Sequence, residues 1–265
     1  MLRSIVLTHG KSRYEIVHCE CLQMGNNSAS IATTALLMLY PTITDVLMVG
    51  IAGGVPHHPF DLKHADAPDH VRLGDIVFAD EVYQYDMIKR ERAADTNRAK
   101  PRPASALFQK AYTRLSQKEF DKKAPWTKHV ARVSRTHSEF KRPVSDELHV
   151  FSISDLGVIT DTIVTHPPQI RRKANTAPLV HKGRVGSANI LLKDDVTRNA
   201  LRSLGIRAVE MEGSGVADAT WNFDVGYGIV RGICDYCDPI KNETWQLYAA
   251  LAAAAFSRAV IEVSV

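Results

Sequence analysis

The sequence has no apolar run long enough to cross a bilayer. Its longest, Leu247 to Ala255, reaches Ile261 only if Ser257 and Arg258 are passed over, and it is mostly alanine. A spanning helix needs about 20 apolar residues, so no membrane span is expected. Met1 to Ser12 lacks the apolar core of a secretory signal, which makes a cytoplasmic location the expectation. Cysteine is scarce, at four in 265 residues. Cys19 and Cys21 alternate along an apparent strand. Cys234 and Cys237 have CxxC spacing, which invites a zinc or redox reading, but no second pair completes a four-ligand structural site. Buried free thiols and no metal are the expectation. His57, His58, His64 and His70, grouped around Pro59, lack a tight ligand spacing and read as surface residues of a polar loop. The one glycine loop at a strand end, Val49 to Gly54, is followed by no Gly-Lys-Ser/Thr and is not GxGxxG. That excludes a P-loop or a Rossmann-type dinucleotide site, and no cofactor is expected.

What is present is the material of a globular α/β domain. The hydrophobic fraction is 45%, ordinary for a chain with a substantial core. The net charge of +4 is unevenly spread: residues 89–142 hold 16 Lys or Arg and 5 Asp or Glu, a net +11, which leaves −7 for the rest. A basic block of this kind either attracts phosphates or is a solvated helical insert. Tyr14–Leu22 alternates as a strand. The turn Met24 to Ser28 offers an N-cap to a helix over Ala29–Leu39, which Pro41 ends. Asp45–Ile51 (DVLMVGI) has the continuous apolar pattern of a buried central strand. Further strands are predicted over Val71–Glu81, Ala208–Met211 and Val225–Cys234. Helices are predicted over Ala104–Gln117, Lys193–Leu204 (capped by Gly205), Ser214–Asn222 and Glu243–Val263. Prolines interrupt residues 89–180, the least regular part. The alternation predicts one α/β domain over 1–265, with a mixed central sheet flanked by helices on both faces and a basic insert at about 89–142.

Three clusters carry chemistry. In Val49 to Gly54, glycines at a strand end let backbone N–H groups approach a ligand; the same loop is also an ordinary tight turn. In Val209-Glu210-Met211-Glu212-Gly213, two carboxylates at i and i+2 share a strand face. A carboxylate there can accept both hydroxyls of a vicinal diol, and Met211 offers a soft apolar surface to a sugar or base. Taken alone the pair reads as solvated strand-end acids. In Arg231-Gly-Ile-Cys-Asp235-Tyr-Cys-Asp238, Asp235 follows an apolar strand at the sheet edge where α/β sites gather. A desolvated carboxyl there can donate a proton; it can equally start a turn or cap a helix.

Together these residues resemble the nucleoside phosphorylase and methylthioadenosine nucleosidase superfamily. The likeness runs over about residues 14–265, through MVGIAGGVP, VRLGDIVFADEVYQYD, GSANILLKDD, AVEMEG, VRGICDYCD and KNETWQLYAALAAAAF. It is nearest to the phosphorylase-type effector domains of NLR-like and antiviral multidomain proteins. The resemblance implies that Glu212 binds the ribose 2′ and 3′ hydroxyls, with Met211 under the sugar and Glu210 beside it. It implies that Asp235 protonates the purine N7, that Ser187, Asn189 and Ile190 wall the base, and that Gly53 and Gly54 border the nucleophile pocket. Such a site suits a transition state in which the sugar gains positive charge and the base gains electrons.

Two departures shape the expected reaction. Phosphorolytic members hold phosphate with an arginine before the glycine loop and a Ser or Thr within it, where Met48 and Ile51 stand here. Neither binds an anion, which favours water as nucleophile. Members also begin with a strand bearing an acid that activates water. Met1 to Arg13 carries no acid, so the first family strand is expected to be missing. The leading expectation is a purine nucleosidase acting on an adenine nucleoside or nucleotide, such as ATP or AMP, as a defence effector. The alternatives are a purine nucleoside phosphorylase and a silent nucleoside-sensing or oligomerisation module of a larger protein. A homo-oligomer and further fused domains are implied, and nucleic acid is not expected as a partner. The basic block is expected to draw substrate phosphates, with Arg90, Arg92, Lys100 and Arg102 nearest the pocket.

Overall fold

The structure is a computed structural model that describes every residue except 1, 10–11, 58–65, 93–94, 121–122, 156, 158, 173–176 and 265. In chain order the elements are β1 (Leu2–His9), β2 (Ser12–Cys19), α1 (Asn26–Leu39), β3 (Asp45–Gly54), β4 (Ile76–Gln84), β5 (Ile88–Arg90), β6 (Asp95–Asn97) and β7 (Arg102–Pro103). They continue with α2 (Ala106–Phe120), α3 (Pro125–Thr136), β8 (Leu148–Ile153), β9 (Ile159–Val164), β10 (Val180–Ser187), α4 (Asp195–Ser203), β11 (Ile206–Glu210), α5 (Gly213–Asn222), β12 (Gly226–Asp235) and α6 (Gln246–Val263).

The expected mixed sheet is present and closes on itself. Its hydrogen-bonded order is β10-β11-β3-β12-β4-β7, and β4 also pairs with β10, so five strands form a ring. Within it, β10–β11, β3–β12 and β4–β10 are parallel, while β11–β3 and β12–β4 are antiparallel. Closure gives the paired strands no free edge. β3 is the exception. Along Asp45–Ala52 only its β12 side is paired among the described residues; its other side meets β11 at Gly53 and Gly54 alone. The apolar run DVLMVGI is therefore half-buried rather than buried as expected, and Val49 is 43% exposed. β1 and β2 form a hairpin with each other and, among the described residues, pair with no strand of the ring.

Helices cover the ring on two sides. α1 and α5 pack together, and their crossing is so close that a Cβ at Gly215 would collide with the backbone of Asn26. On the other side α6 lies against β12, where Gly232 faces the Ala249 carbonyl with no room for a side chain. α2 and α3 pack outside α6. The stretch 89–142 is thus several elements: an exposed β5–β6 hairpin, then two helices that bury Phe108, Leu115, Trp126 and Val130 and turn their basic residues outward. Trp126 meets Phe256 edge to face at 5.2 Å, and Phe78 stacks on Tyr112 at 5.2 Å. Each such side chain contributes about 1.5–3 kcal/mol by leaving water. α6 is long and apolar enough to cross a membrane by composition. Here it is a core helix, with Tyr248, Ala252, Phe256 and Val260 buried.

A buried polar layer lies under β4 and β10. Asp75 accepts from Arg172, His181 and the Arg72 and Leu179 N–H groups. Burial pushes its carboxyl up, but His181 and Arg172 outweigh burial and hold it below the ordinary range. His70 was expected at the surface; it is fully buried instead. Its Nδ1 accepts from the His57 N–H and its Nε2 faces His166 Nδ1 at 2.9 Å. Burial and the neighbouring His166 lower it to about 2, so it is neutral. His58, Pro59 and His64 lie outside the described residues.

Candidate active site

The strand ends of β3, β10, β11 and β12 meet the N-termini of α1 and α5, and there the second cluster assembles. The side chain of Arg231, on β12, crosses to β11 and reaches both acids. Its Nη2 donates to Glu210 and, at 3.1 Å, to Glu212. A Cβ at Gly50, its partner across the strand pair, would collide with the guanidinium; glycine there leaves the arginine its path. Arg231 also donates from Nη1 to the Ile51 carbonyl at 3.3 Å and lies 3.5 Å from Met48 Sδ. The two positions that lack anion-binding side chains thus flank an arginine from another strand. Arg231 stands in the VRGICDYCD motif, where the residues alone point only to Asp235. The missed signal was an arginine in the middle of an otherwise apolar strand, where a charge is almost never buried unpaired.

The two acids do different work. Glu210 accepts the N–H groups of Glu212 and Gly213, which open α5, and its remaining capacity goes to Arg231. It is buried and committed to the scaffold. Glu212 accepts the Gly25 N–H at 3.2 Å through Oε1 and Arg231 through Oε2, and stays partly open to solvent. A carboxylate has about four acceptor positions, so two remain for a diol. Met211 beside it is half-buried.

Ser187 is fully buried and joins three elements: its hydroxyl donates to Asn26 Oδ1 and accepts the Ser214 N–H. Asn26 Oδ1 also accepts the Gly215 N–H. The turn before α1 therefore supplies no side-chain N-cap; the Asn26 side chain ties α1 to α5 instead. Asn189 is exposed. Its Oδ1 takes the Asn26 N–H at 2.8 Å, and its own N–H donates to Asp86. Ile190 is half-exposed at the rim.

Asp235 ends β12 just after a register shift between Ile233 and Asp235. Such a bulge re-aims the side chain that follows it. Asp235 Oδ1 accepts the Cys237 N–H at 2.8 Å, and Oδ2 lies 3.5 Å from Lys241 Nζ and 3.3 Å from Cys234 Sγ. Gly53 sits against this carboxylate and Cys237 with no room for a Cβ, whereas Gly54 faces inward onto Ile233 and Val71. The segment is anchored through Tyr236, whose hydroxyl donates to Asp146 and accepts the Leu73 N–H. Asp235 opens into a cleft of about 370 Å³ walled by Leu73, Tyr236, Trp245, His149, Asp238 and Lys241. Asp238 is only 3% exposed and its Oδ1 has no partner; burial raises its carboxyl. Cys234 and Cys237 are free buried thiols, both raised by burial and by the nearby Asp235. No group of three metal-binding side chains occurs among the described residues. Arg102 lies apart from these residues. It pairs with Asp218 at 2.8 Å and stacks over Trp221.

A closed mixed barrel with covering helices, paired acids and a further acid at its strand ends places this chain among α/β domains with a polar cluster at one end of the sheet. The family model of the phosphorylase superfamily matches residues 2–263, and the chain belongs to that family. It is 27% identical over 250 residues to a nucleotide-binding leucine-rich repeat (NLR)-like protein of Hyaloscypha variabilis, covering 91% of this chain and 24% of that protein. It is 26% identical over 235 residues to the ATP nucleosidase Cap17 of Escherichia coli, covering 87% and 38%. The chain thus spans well under half the length of these relatives. Among solved structures, it resembles the 5′-methylthioadenosine/S-adenosylhomocysteine nucleosidase of Neisseria meningitidis (TM-score 0.58, 14% identity, 98% of this chain and 89% of that one). The futalosine hydrolase of Helicobacter pylori is similar at TM-score 0.56 and 15% identity, covering 98% and 89%.

Proposed function

We propose that this domain hydrolyses the N-glycosidic bond of an adenine nucleoside or nucleotide, releasing free base and ribose or ribose phosphate. The observation that carries the reading is the Glu210–Arg231–Glu212 cluster. One guanidinium against two carboxylates leaves the sugar side of the site with a net charge of −1. That charge favours a sugar developing positive charge and disfavours a phosphate anion as nucleophile. Water meets no such repulsion. The ribose hydroxyls sit on Glu212, and the base enters the aromatic-walled cleft with Asp235 at its N7. The names of the E. coli relative and of the structural neighbours agree with a nucleosidase. The likeness to an NLR-like protein supports a role as the effector part of a longer defence protein.

Product analysis tests the nucleophile. Incubated with adenosine, AMP and ATP in excess phosphate, the protein should yield free ribose or ribose 5-phosphates. Ribose 1-phosphate rising in proportion to added phosphate would assign it to the phosphorylases instead.

The role of Glu212 is tested separately. Glu212→Gln keeps the shape and the Gly25 contact but removes a charged acceptor from the diol. A charge-assisted hydrogen bond contributes about 1.5–3 kcal/mol, so kcat/KM should fall roughly 10- to 100-fold. A 2′,3′-dideoxy substrate should be correspondingly poor for the native protein. Equal turnover of dideoxy and ribose substrates would remove Glu212 from the sugar site.

A further inference from the structure

The structure holds a second cleft, of about 330 Å³, on the α5 side of the site. It is walled by Gln84 and Met87 after β4, by Arg98, Lys100 and Arg102, and by Ser214, Ala217 and Asp218 of α5. We propose that this cleft is a subsite for the polyphosphate chain of a nucleotide whose ribose sits on Glu212. The proposal rests on the nucleosidase reading of that site and adds the ligand class and the residues that select it.

Position comes first. Ser214, Ala217 and Asp218 follow Glu212 on α5 by about 3, 7.5 and 9 Å along the helix axis at 1.5 Å per residue. The cleft thus begins within one helical turn of Glu212, which is the span of a short phosphate chain on the ribose. The helix N-terminus itself is not the binding element. Its Gly213, Ser214 and Gly215 N–H groups already donate to Glu210, Ser187 and Asn26. Anion binding must come from side chains.

Three cations supply it against one acid. Arg102 is mounted on a strand: its backbone pairs with Val82, and the Tyr227 hydroxyl donates to its carbonyl. Asp218 takes one guanidinium nitrogen at 2.8 Å and Trp221 lies beneath the group at 5.0 Å. Its other nitrogen, Nη1, is buried and has no partner. A buried donor left unmade is costly unless a ligand completes it. Arg98 and Lys100 have no carboxylate partner among the described residues, and the Arg98 N–H is fixed to the Met87 carbonyl at 2.8 Å. The fork of an arginine fits phosphate oxygens in pairs. The structure also separates these residues from the rest of the basic block. Arg90, expected near the pocket, is exposed on the β5–β6 hairpin and spends its charge on Asp95. Arg92 is likewise exposed and does not line the cleft.

The test is calorimetric titration of the protein with inorganic tripolyphosphate, a probe that needs no base or sugar site. The native protein is compared with Arg98→Ala/Lys100→Ala and with Lys128→Ala/Arg132→Ala. The latter pair is exposed on α3 and removes the same charge outside the cleft. Saturable binding is expected, weakened roughly 100-fold by the first pair, since each lost charge-assisted contact is worth about tenfold or more. The α3 pair should weaken it less than about threefold, and raising salt from 0.1 M to 0.5 M should leave the contrast in place. The native protein should also prefer ATP to adenosine in kcat/KM, with that preference lost in the cleft pair. Equal weakening by the two pairs would mean only the general field of the protein is felt, and the subsite would be wrong. Base release from ATP without tripolyphosphate binding would also remove the subsite and leave the nucleosidase reading standing. Tripolyphosphate binding without release of base from any nucleoside would do the reverse.

Discussion

Asp235→Asn should slow base release at least ~100-fold while leaving the fold in place. An amide cannot hand a full proton to the leaving base, and general acid catalysis is worth about 10²–10⁴. The fold should survive because the contacts are largely isosteric. An asparagine Oδ1 can still accept the Cys237 N–H that Asp235 now accepts at 2.8 Å. The lost partner is Lys241, 3.5 Å away and lining the same cleft, where its ammonium can turn to water. Thermal melting within a few degrees of the native protein, with kcat down 100-fold or more, is the expected pair of results. Since protonation of the base is a transition-state event, KM should move much less than kcat. Near-native turnover with an unchanged melting temperature would take the acid role from Asp235. In that event Asp238, buried in the same cleft with an unpartnered oxygen, becomes the group to vary.

The strand and helix alternation was legible where the residues obey one strong period. α5, β12 and α6 lie within three residues of the predicted bounds, and Gly205, with φ of 78°, caps α4 as expected. The elements that were not legible are those whose identity depends on partners far away in sequence. β10 (VHKGRVGS) has charges on a strand that is parallel-paired on both sides, and only its place between β4 and β11 makes it a strand. α3 opens on a proline and carries a mostly polar, basic sequence; Trp126 and Val130 bind it to α6. The closure of the sheet depends on β4 meeting β10, about a hundred residues later, and no local pattern encodes it.

The same division runs through the candidate site. Motif reading placed Glu212, Asp235 and Gly53 at strand ends, and the structure puts them there, with Glu212 open and Asp235 in a cleft. The i and i+2 spacing alone does not separate the two acids; the resemblance points to Glu212 for the sugar, and the structure leaves Glu212 the more open of the pair. That is decided by the α5 N–H groups, which claim Glu210. Nor could motif reading foresee that Ser187 is buried as a joint between α1, β10 and α5. Such roles are set by hydrogen-bond partners 27 to 161 residues away.

Arg231→Ala should be the most destabilising single change in the site, and it should abolish activity for a different reason. The guanidinium is almost fully buried, and so is Glu210. Removing it leaves one carboxylate buried and a second half-buried with no counter-charge. Breaking a buried pair in this way costs about 3–5 kcal/mol. For a chain of this size each kcal/mol lowers the melting temperature by about 2–4 °C, so a fall of roughly 6–20 °C is expected. Stability does not explain why the cluster exists, because a buried ion group is often no better than an apolar one of the same volume. Arg231 Nε is moreover buried without a partner, a cost that a packing residue would not carry. The arginine earns its place by fixing Glu212. The double change Arg231→Met with Glu210→Gln should therefore recover most of the lost melting temperature, since the fully buried carboxylate is gone and only Glu212, which reaches solvent, is left without its counter-charge. It should not recover activity, because Glu212 Oε2 has lost the donor that orients it. Arg231→Lys should fall between, keeping the charge but not the fork that reaches both acids. A stable double variant with native kcat/KM would show that the cluster is scaffold alone.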